Sequence, residues 1–499
     1  MPRGRRGRFA PYVVGTGLVA MALSLAGFAI YGAILGDAVD HFLITALVAA
    51  TLGIPLRLLG RSGIDPSRRE ALVGVLLLWT LLPAVGVVPY VLGAGMEPLN
   101  ALFESMSGFT ATGATAISDF AAVPASLFMW RAFTQWVGGI GIVVVFVAVF
   151  PQLAIAGRQI FHAELPGPTE ERITPRLRST ALAVLGVYIG LTVACAFAYT
   201  LTGMDGYAAV AHAFTTVAAA GFSPEERSFE AYGVAVDWVA ITFMTLAAVN
   251  FALLFRAFMG RPRDLARDPE LRAYVLIVLL AGSILTVHLL GTYDAAEAVR
   301  HGFFQTVSIL TTTGYASADF EAWPDRARAT LLLLMFVGGS AGSAAGGVKV
   351  MRWLILGAHT VREVRRALHQ RAILPLRVGA RTIPEEVLRA IGAFLMLYFG
   401  LVVASATALV YMGVDFITAF TAAAATVGNV GPGLGAVGPM ASYADLPALG
   451  RAMLVFNMFA GRLEVVTVFV LFTFRWWRLP RRDGARDAAG GRVNGRRGR

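Results

Sequence analysis

Long apolar runs restrict the fold of this chain more than any other feature, because they recur from end to end at the length of a membrane-crossing helix, about 20 residues. Of its 499 residues, 57% are hydrophobic and 15% are charged. A soluble protein carries about 25% charged residues. We therefore expect an all-α polytopic membrane protein with no attached soluble domain.

Four short glycine segments interrupt this pattern, and each follows a short apolar stretch and precedes a long one. They are residues 110–115, 218–223, 311–316 and 425–430, centred on Gly113, Gly221, Gly314 and Gly428. The short stretches suit half-helices that dip into the membrane and return through the glycines. Non-helical backbone at membrane depth is tolerated where it lines a cavity, and there its carbonyls replace the water around a cation. The alternative is that the glycines only let helices pack closely.

A unit of span, half-helix, glycine segment and span recurs four times and predicts four repeats around one central pore. We divide the chain into a two-helix N-terminal extension (1–69), four pore repeats (70–157, 158–268, 269–383 and 384–477) and a basic tail expected to be disordered (478–499). The predicted return spans cover 128–149, 234–255, 329–356 and 448–474, the third of them broken by glycines.

The positions of the charges indicate the orientation. The net charge is +11, but only seven of the 42 basic residues fall outside the predicted inner connections. Six lie on the outer side and one lies inside a span: Arg131, Arg227, Arg300, Arg326, Arg328, Arg451 and, in the span, Arg462. This bias is typical of membrane topology rather than of nucleic-acid binding, and it places both termini in the cytoplasm. A secretory signal at the Arg-rich start is the alternative. Cys195 is the only cysteine, so no internal disulfide is possible.

The cation filter is assigned to each central glycine and the compact residue before it. These residues are Thr112, Gly113, Ala220, Gly221, Thr313, Gly314, Val427 and Gly428. Nine residues before the first three glycines stand Glu104, His212 and Gln305. We expect these polar side chains to lie behind the filter and bond to its backbone. The alternative is that each reaches solvent at the outer mouth.

Several motifs resemble the Trk/Ktr/HKT potassium transporters over about residues 70–475. They include 103–110 running into 112–115, the other three glycine segments (220–223, 312–315 and 427–433), and the pieces 136–141, 346–350 and 461–464. The two extra N-terminal spans resemble the TrkH/TrkG branch.

The resemblance implies potassium uptake through four units around one pore, in a homodimer in the bacterial cytoplasmic membrane. It also implies a cytosolic ring of TrkA-like subunits that bind nucleotides. Some family members carry serine at the first filter glycine and pass sodium more readily, whereas Gly113 is intact here. No cofactor bound by the chain itself is expected.

A second run of glycines breaks the return span of the third repeat and is the candidate gate. Its residues, with two basic side chains that the family motifs place nearby, are Gly338, Gly339, Gly342, Gly346, Gly347, Lys349 and Arg462. Such a break is tolerated beside a pore. The resemblance suggests a loop under the filter that swings aside. The alternatives are a helix kink used in packing and an arginine that reaches the inner surface.

The remaining motifs indicate how transport is driven. No GxxxxGK[ST] loop occurs, so control by nucleotide is expected from a partner. The basic connection 359–381 is a candidate surface for that partner or for anionic lipid, and a solvated loop fits equally well. We expect no enzymatic activity, because the seven histidines form no metal-ligand spacing. A sodium-permeable or ion-coupled symporter of the same fold and, less favoured, a polytopic membrane enzyme are the alternatives.

Overall fold

The computed structural model describes residues 9–60, 68–148, 174–369 and 374–470, and the predicted disordered tail (478–499) lies outside them. The described part is all-α apart from one short hairpin. Its helices are α1 Phe9–Leu35, α2 Asp40–Leu59, α3 Arg68–Val85, α4 Val87–Ala94, α5 Pro98–Phe109, α6 Ala125–Ala148, α7 Thr174–Leu201, α8 Gly206–Val217, α9 Val234–Ala247, α10 Phe251–Phe258, α11 Pro262–Arg267, α12 Pro269–Leu289, α13 Ala295–Leu310, α14 Asp325–Leu334, α15 Val350–Leu368, α16 Glu385–Tyr411, α17 Phe416–Gly428, α18 Ala448–Arg462 and α19 Val465–Val470. The hairpin pairs β1 Arg377–Val378 with β2 Arg381–Thr382 in antiparallel register.

The protein is a multi-pass membrane protein. Within the described residues, six helices are long and apolar enough to cross a bilayer, and the bent pair α9–α10 adds a seventh if it counts as one span. Large apolar side chains on these helices point away from the protein; examples are Leu58, Leu201 and Met396. Such surfaces are stable against lipid, whose chains are as apolar as the side chains themselves.

The two N-terminal helices pack directly on each other through glycines. A Cβ atom at Gly15 would lie within 3.0 Å of the backbone nitrogen of Arg57, and one at Gly53 would lie 2.8 Å from the Cβ of Leu18. Small residues allow this approach, because helices in lipid associate mainly through close van der Waals packing. The outward span of the first repeat follows as α3 and α4, with Pro83 inside α3.

Four short helices (α5, α8, α13 and α17) each lie between two longer segments and end at a glycine segment. Three of them begin with an aspartate that accepts hydrogen bonds from backbone N–H groups of the first turn: Asp205, Asp294 and Asp415. These caps satisfy donors that a helix start leaves open. The negative ends of the four helix dipoles therefore lie at the glycine segments.

The predicted return spans need correction in two repeats. The second, expected as one helix over 234–255, bends by 102° between α9 and α10. The fourth, expected over 448–474, stops at Arg462 and resumes as α19 after Glu464, whose φ is +66°. The third is interrupted between α14 and α15, where the glycines lie. The break after α9 and the break after α14 are hydrogen-bonded to each other, because the amide of Ser340 donates to the carbonyl of Ala248 at 2.9 Å.

Candidate functional site

The four glycine segments meet in a closed ring. In each segment, a residue just after the half-helix and a glycine two positions later have positive φ; the glycine values are +86°, +79°, +83° and +103° at Gly113, Gly221, Gly314 and Gly431. A Cβ atom on any of these glycines would lie within 3.0 Å of a carbonyl oxygen of the next segment. The carbonyls belong, in that order, to Ala220, Thr313, Val430 and Thr112. The last contact returns to the first segment, so the backbones enclose a common axis, and only glycine fits this approach.

The structure places the ring glycine of the fourth segment three residues later than predicted, at Gly431 instead of Gly428. Val427 and Gly428, assigned to the filter from the sequence, end helix α17, and Asn429 takes the left-handed conformation that follows a helix. Gly431 holds the position of Gly113 in the first segment, and the carbonyl of Val430 holds that of Thr112. A sequence signal for this register exists, since Glu97, Asp205 and Asp415 each precede the ring glycine by 16 residues.

The polar residues predicted behind the filter are fully buried. Glu104 accepts a hydrogen bond from the backbone amide of Ala116 at 2.7 Å, and Gln305 donates to the carbonyl of Tyr315 at 2.9 Å. His212 bonds to a side chain instead, because its Nε2 lies 3.0 Å from the hydroxyl of Ser223. Its Nδ1 lies 2.8 Å from the carbonyl of Ala208, which can only accept, so Nδ1 carries a proton. None of the three reaches the outer solvent.

Two residues of helix α6 hold the second segment, and the sequence predictions missed both roles. Gln135 donates to the carbonyl of Ala220 at 2.7 Å and accepts from the amide of Phe222 at 3.0 Å. Arg131, expected in an outer segment, is buried: its Nε lies 2.5 Å from Glu104, and its Nη1 donates to the carbonyl of Ser223 at 2.9 Å. The available signal was their spacing of four residues, which places both on one helix face.

Hydroxyl and amide side chains bond within or between the other segments. In the first, the hydroxyls of Thr110 and Thr112 lie 2.7 Å apart, and in the third those of Thr311 and Thr313 are also 2.7 Å apart. Asn429 joins the fourth segment to the first, because its amide donates to Thr112 at 2.8 Å. These bonds stabilise a backbone whose left-handed residues cost free energy.

The loop between α14 and α15, residues 335–349, lies directly against the ring. The amide of Gly346 donates to the hydroxyl of Thr312 at 2.6 Å, and the amide of Gly347 donates to the carbonyl of Gly428 at 2.9 Å. On the far side, the amide of Ala344 donates to the carbonyl of Ala247 at 3.2 Å. The predicted gate residues Gly338, Gly339 and Gly342 lie in the same loop, and Gly338 and Gly342 have positive φ.

Two buried polar side chains anchor the loop from the second repeat and from α12. Asn250 donates to the carbonyl of Ala341 at 2.8 Å. Glu270 accepts from the amide of Ala341 at 2.8 Å and from that of Met351 at 3.0 Å. The sequence predictions named neither residue. The available sequence signal was a polar residue at each of two places, Asn250 at the helix break and Glu270 at the start of α12. Broken helices need such partners for their freed backbone groups.

Arg462 also bonds to this loop, and it is buried. Its Nη1 donates to the carbonyl of Ala344 at 3.1 Å, and its Nη2 donates to that of Gly138 at 3.3 Å. It therefore does not extend to the inner surface. Glu464 pairs instead with Arg352 at 2.7 Å. Lys349 ends the loop with φ of +80° and donates to the carbonyl of Ala345.

These features define a polytopic membrane protein in which four non-helical segments enclose a common axis. Within the described residues, no group of three or more His, Cys, Asp or Glu side chains is placed to hold a metal ion. The family model described as "TrkH: Cation transport protein" matches residues 77–476. The chain therefore belongs to the TrkH family.

Similar proteins agree with this assignment. The Trk system potassium uptake protein TrkH of Vibrio parahaemolyticus is 37% identical over 422 residues, covering 82% of this chain and 86% of that protein. TrkH of Halomonas elongata is 38% identical over 421 residues, with the same coverage. TrkG of Escherichia coli is 34% identical over 426 residues, covering 84% and 87%. The crystal structure of the potassium transporter TrkH from Vibrio parahaemolyticus superposes with a TM-score of 0.85 at 33% identity, over 94% of this chain and 99% of that one.

Proposed function

We propose that this chain is the pore-forming subunit of a potassium uptake system. Dehydrated K+ passes along the axis of the ring, where backbone oxygens of residues 112–113, 220–221, 313–314 and 430–431 replace its water. The observation that carries this proposal is the closed ring of close approaches between neighbouring segments. It runs from Gly113 through Gly221, Gly314 and Gly431 back to Thr112. The negative ends of four half-helices favour a cation there.

A paired glycine substitution tests the ring. In Gly314→Ala, the new Cβ meets the carbonyl of Val430 and stands at φ of +83°, whereas Gly190 in span α7 has open space around it. We expect Gly314→Ala to lower K+ flux into proteoliposomes at least roughly tenfold, or to lose preference for K+ over Na+, because left-handed backbone and a crowded carbonyl both oppose the side chain. Gly190→Ala serves as the control. Unchanged flux and selectivity in both variants contradict the proposal.

The loop 335–349 is proposed as the gate and Arg462 as its latch. Loop amides bond to the third segment and to the end of α17, so a displaced loop opens the space beneath the ring. Arg462 holds the loop through Ala344 and places a positive charge at membrane depth, where it repels a permeating cation. Arg462→Ala is expected to raise basal K+ flux, and Arg462→Lys, which keeps the charge, to raise it less. Equal or lower flux in the alanine variant at matched expression contradicts this role.

Control by nucleotide is proposed to come from a cytosolic TrkA-like ring. The relatives above are named as parts of a Trk system, and the inner surface offers Arg256, Arg261, Arg267 and Arg381 around one cavity of about 490 Å³. We place the protein in the bacterial inner membrane as a homodimer with cytoplasmic termini. Flux in proteoliposomes with and without the purified partner and its nucleotides tests the control. Flux that never responds to the partner contradicts it, and movement of a second ion with K+ favours a symporter.

A further inference from the structure

Two contacts join the break between α18 and α19 to the third repeat. The first is the bond from Arg462 to the loop 335–349. The second is an ion pair: both carboxylate oxygens of Glu464, in the break, lie 2.7 Å from Nη2 of Arg352, in the first turn of α15. The side chains are 13% exposed at Arg352 and 17% exposed at Glu464. A pair so largely withdrawn from water is screened by salt much less than a surface pair.

Arg352 has two further contacts besides the carboxylate. Its Nη1 donates to the carbonyl of Val348, which belongs to the loop, at 3.3 Å. The central carbon of its guanidinium lies 3.9 Å from the centre of the Phe394 ring on α16. A cation over the face of an aromatic ring is attracted by that ring. The guanidinium therefore joins the loop, the break in the fourth repeat and α16 at one point.

The first turn of α15 is bonded to the loop, so we expect the two to move together. The amide of Val350 donates to the carbonyl of Gly339 at 3.1 Å, and Nε1 of Trp353 donates to the carbonyl of Phe336 at 3.0 Å. Both acceptors lie in the loop. A loop that swings away from the ring therefore either breaks these bonds or carries the first turn of α15 along. In the second case, Arg352 leaves its carboxylate partner.

The backbone of Glu464 indicates that its carboxylate has a role. Its φ is +66°, a left-handed conformation that costs free energy for any residue with a Cβ atom and that glycine adopts freely. Glycine would therefore form this break at lower cost, but it has no group to pair with Arg352. We propose that Arg352 and Glu464 are positioning residues whose ion pair is a second latch on the loop 335–349, in addition to Arg462. The proposal rests on the proposed function of that loop as the gate.

Two double variants with the net charge of wild type test the latch. Arg352→Met with Glu464→Gln removes both charges and the pair, whereas Arg352→Glu with Glu464→Arg exchanges the charges and can restore it. The full-length protein is reconstituted in liposomes, and basal K+ flux is measured without a partner. We expect the neutral variant to raise flux roughly tenfold and the exchanged variant to stay within about threefold of wild type. Because the net charge is the same in all three proteins, a change in cation repulsion does not explain a difference.

An exposed ion pair supplies the matched control. Arg227 and Glu230 form a pair of the same residue types, and their side chains are 56% and 35% exposed. Arg227→Met with Glu230→Gln makes the same two chemical changes there. Exposed pairs contribute little, and this one lies away from the loop, so we expect its flux to equal that of wild type.

Basal flux separates a latch from a pair that only stabilises the fold, because misfolded protein conducts less K+ rather than more. Equal flux in the neutral variant and wild type overturns the latch, and so does an equal rise in the neutral and exchanged variants. Arg352→Gln with Glu464→Gln is a second neutral variant, used if the first is not monodisperse, and it must raise flux similarly.

Arg462→Ala in the same assay separates this proposal from the proposed gate. If Arg462→Ala raises flux and the neutral variant does not, the loop remains the gate and only the second latch is wrong. If neither raises flux, both proposals are wrong.

Discussion

The second glycine segment is held differently from the first and third. The first and third contain threonines whose hydroxyls bond to each other across two positions, at 2.7 Å in both. The second contains alanine at 218, 219 and 220 and has no such hydroxyls. Its carbonyl at Ala220 and amide at Phe222 bond instead to Gln135, which belongs to the return helix of the neighbouring repeat.

The difference shows how a buried non-helical backbone is kept in shape. A buried carbonyl or amide without a partner costs about 1–3 kcal/mol, so every segment needs donors and acceptors from somewhere. Where the segment has its own hydroxyls, local bonds contribute. Where it has only alanine, a neighbouring helix must supply them. We therefore expect the second segment to depend most on residues outside it.

The largest effect is expected from Glu104→Gln, because it affects the supports of two segments together. Glu104 neutralises buried Arg131, which also donates to the second segment at Ser223. An uncompensated buried charge costs about 3–5 kcal/mol, so the free energy of unfolding in detergent should fall by that amount and K+ selectivity should decrease. Glu230→Gln breaks an ion pair with Arg227, which is largely exposed, and should cost no more than about 1 kcal/mol. Similar losses in both variants would show that Arg131 does not need its partner.

An intermediate effect is expected from Gln135→Leu. The variant keeps the size of the side chain but leaves the carbonyl of Ala220 and the amide of Phe222 without their bonds. The loss of stability should be about 2–3 kcal/mol, and the ratio of K+ to Na+ flux in proteoliposomes should fall. Wild-type selectivity in this variant would show that the second segment keeps its shape without the neighbouring repeat.

The smallest effect is expected from the same substitution in the third repeat, Gln305→Leu. The carbonyl of Tyr315 keeps a second donor, the hydroxyl of Ser308 at 2.7 Å, and the Oε1 atom of Gln305 has no hydrogen-bond partner among the described residues. The cost should be about 1 kcal/mol, measured by the same unfolding assay. The double variant Gln305→Leu with Ser308→Ala should lose more stability than the sum of the losses in the two single variants. If Gln305→Leu lowers the free energy of unfolding as much as Gln135→Leu does, the proposed contrast between the second and third segments is wrong.

Sequence reasoning located the half-helices and their buried polar residues, but it placed the fourth segment three residues early. Two glycines, Gly428 and Gly431, stand near the expected position, and local preference does not choose between them. In the fold, Asn429 ends the helix, and its amide reaches Thr112 of the first segment. That contact joins residues more than 300 positions apart, so no local pattern contains it.

The broken return helices illustrate a similar limit. The glycine run in the third repeat predicted its own break, because such a composition does not sustain a helix. The second return span has no glycine between Val234 and Phe255, yet it bends by 102° after α9, close to Asn250. The freed carbonyls of Ala247 and Ala248 are bonded by amides of the loop at Ala344 and Ser340. The bend is compatible with the membrane only because the other break lies beside it.

The sequence by itself determined that this chain crosses a membrane with many helices, because surfaces in contact with hydrocarbon must be apolar and the backbone there must be bonded internally. Its glycines and polar half-helix residues also marked where the chain departs from regular helix. The tertiary structure decided which glycines meet, which neighbour holds each segment and where Arg462 is bonded. Those choices depend on hydrogen bonds and close approaches between residues dozens to hundreds of positions apart, and their geometry exists only once the four repeats are packed together.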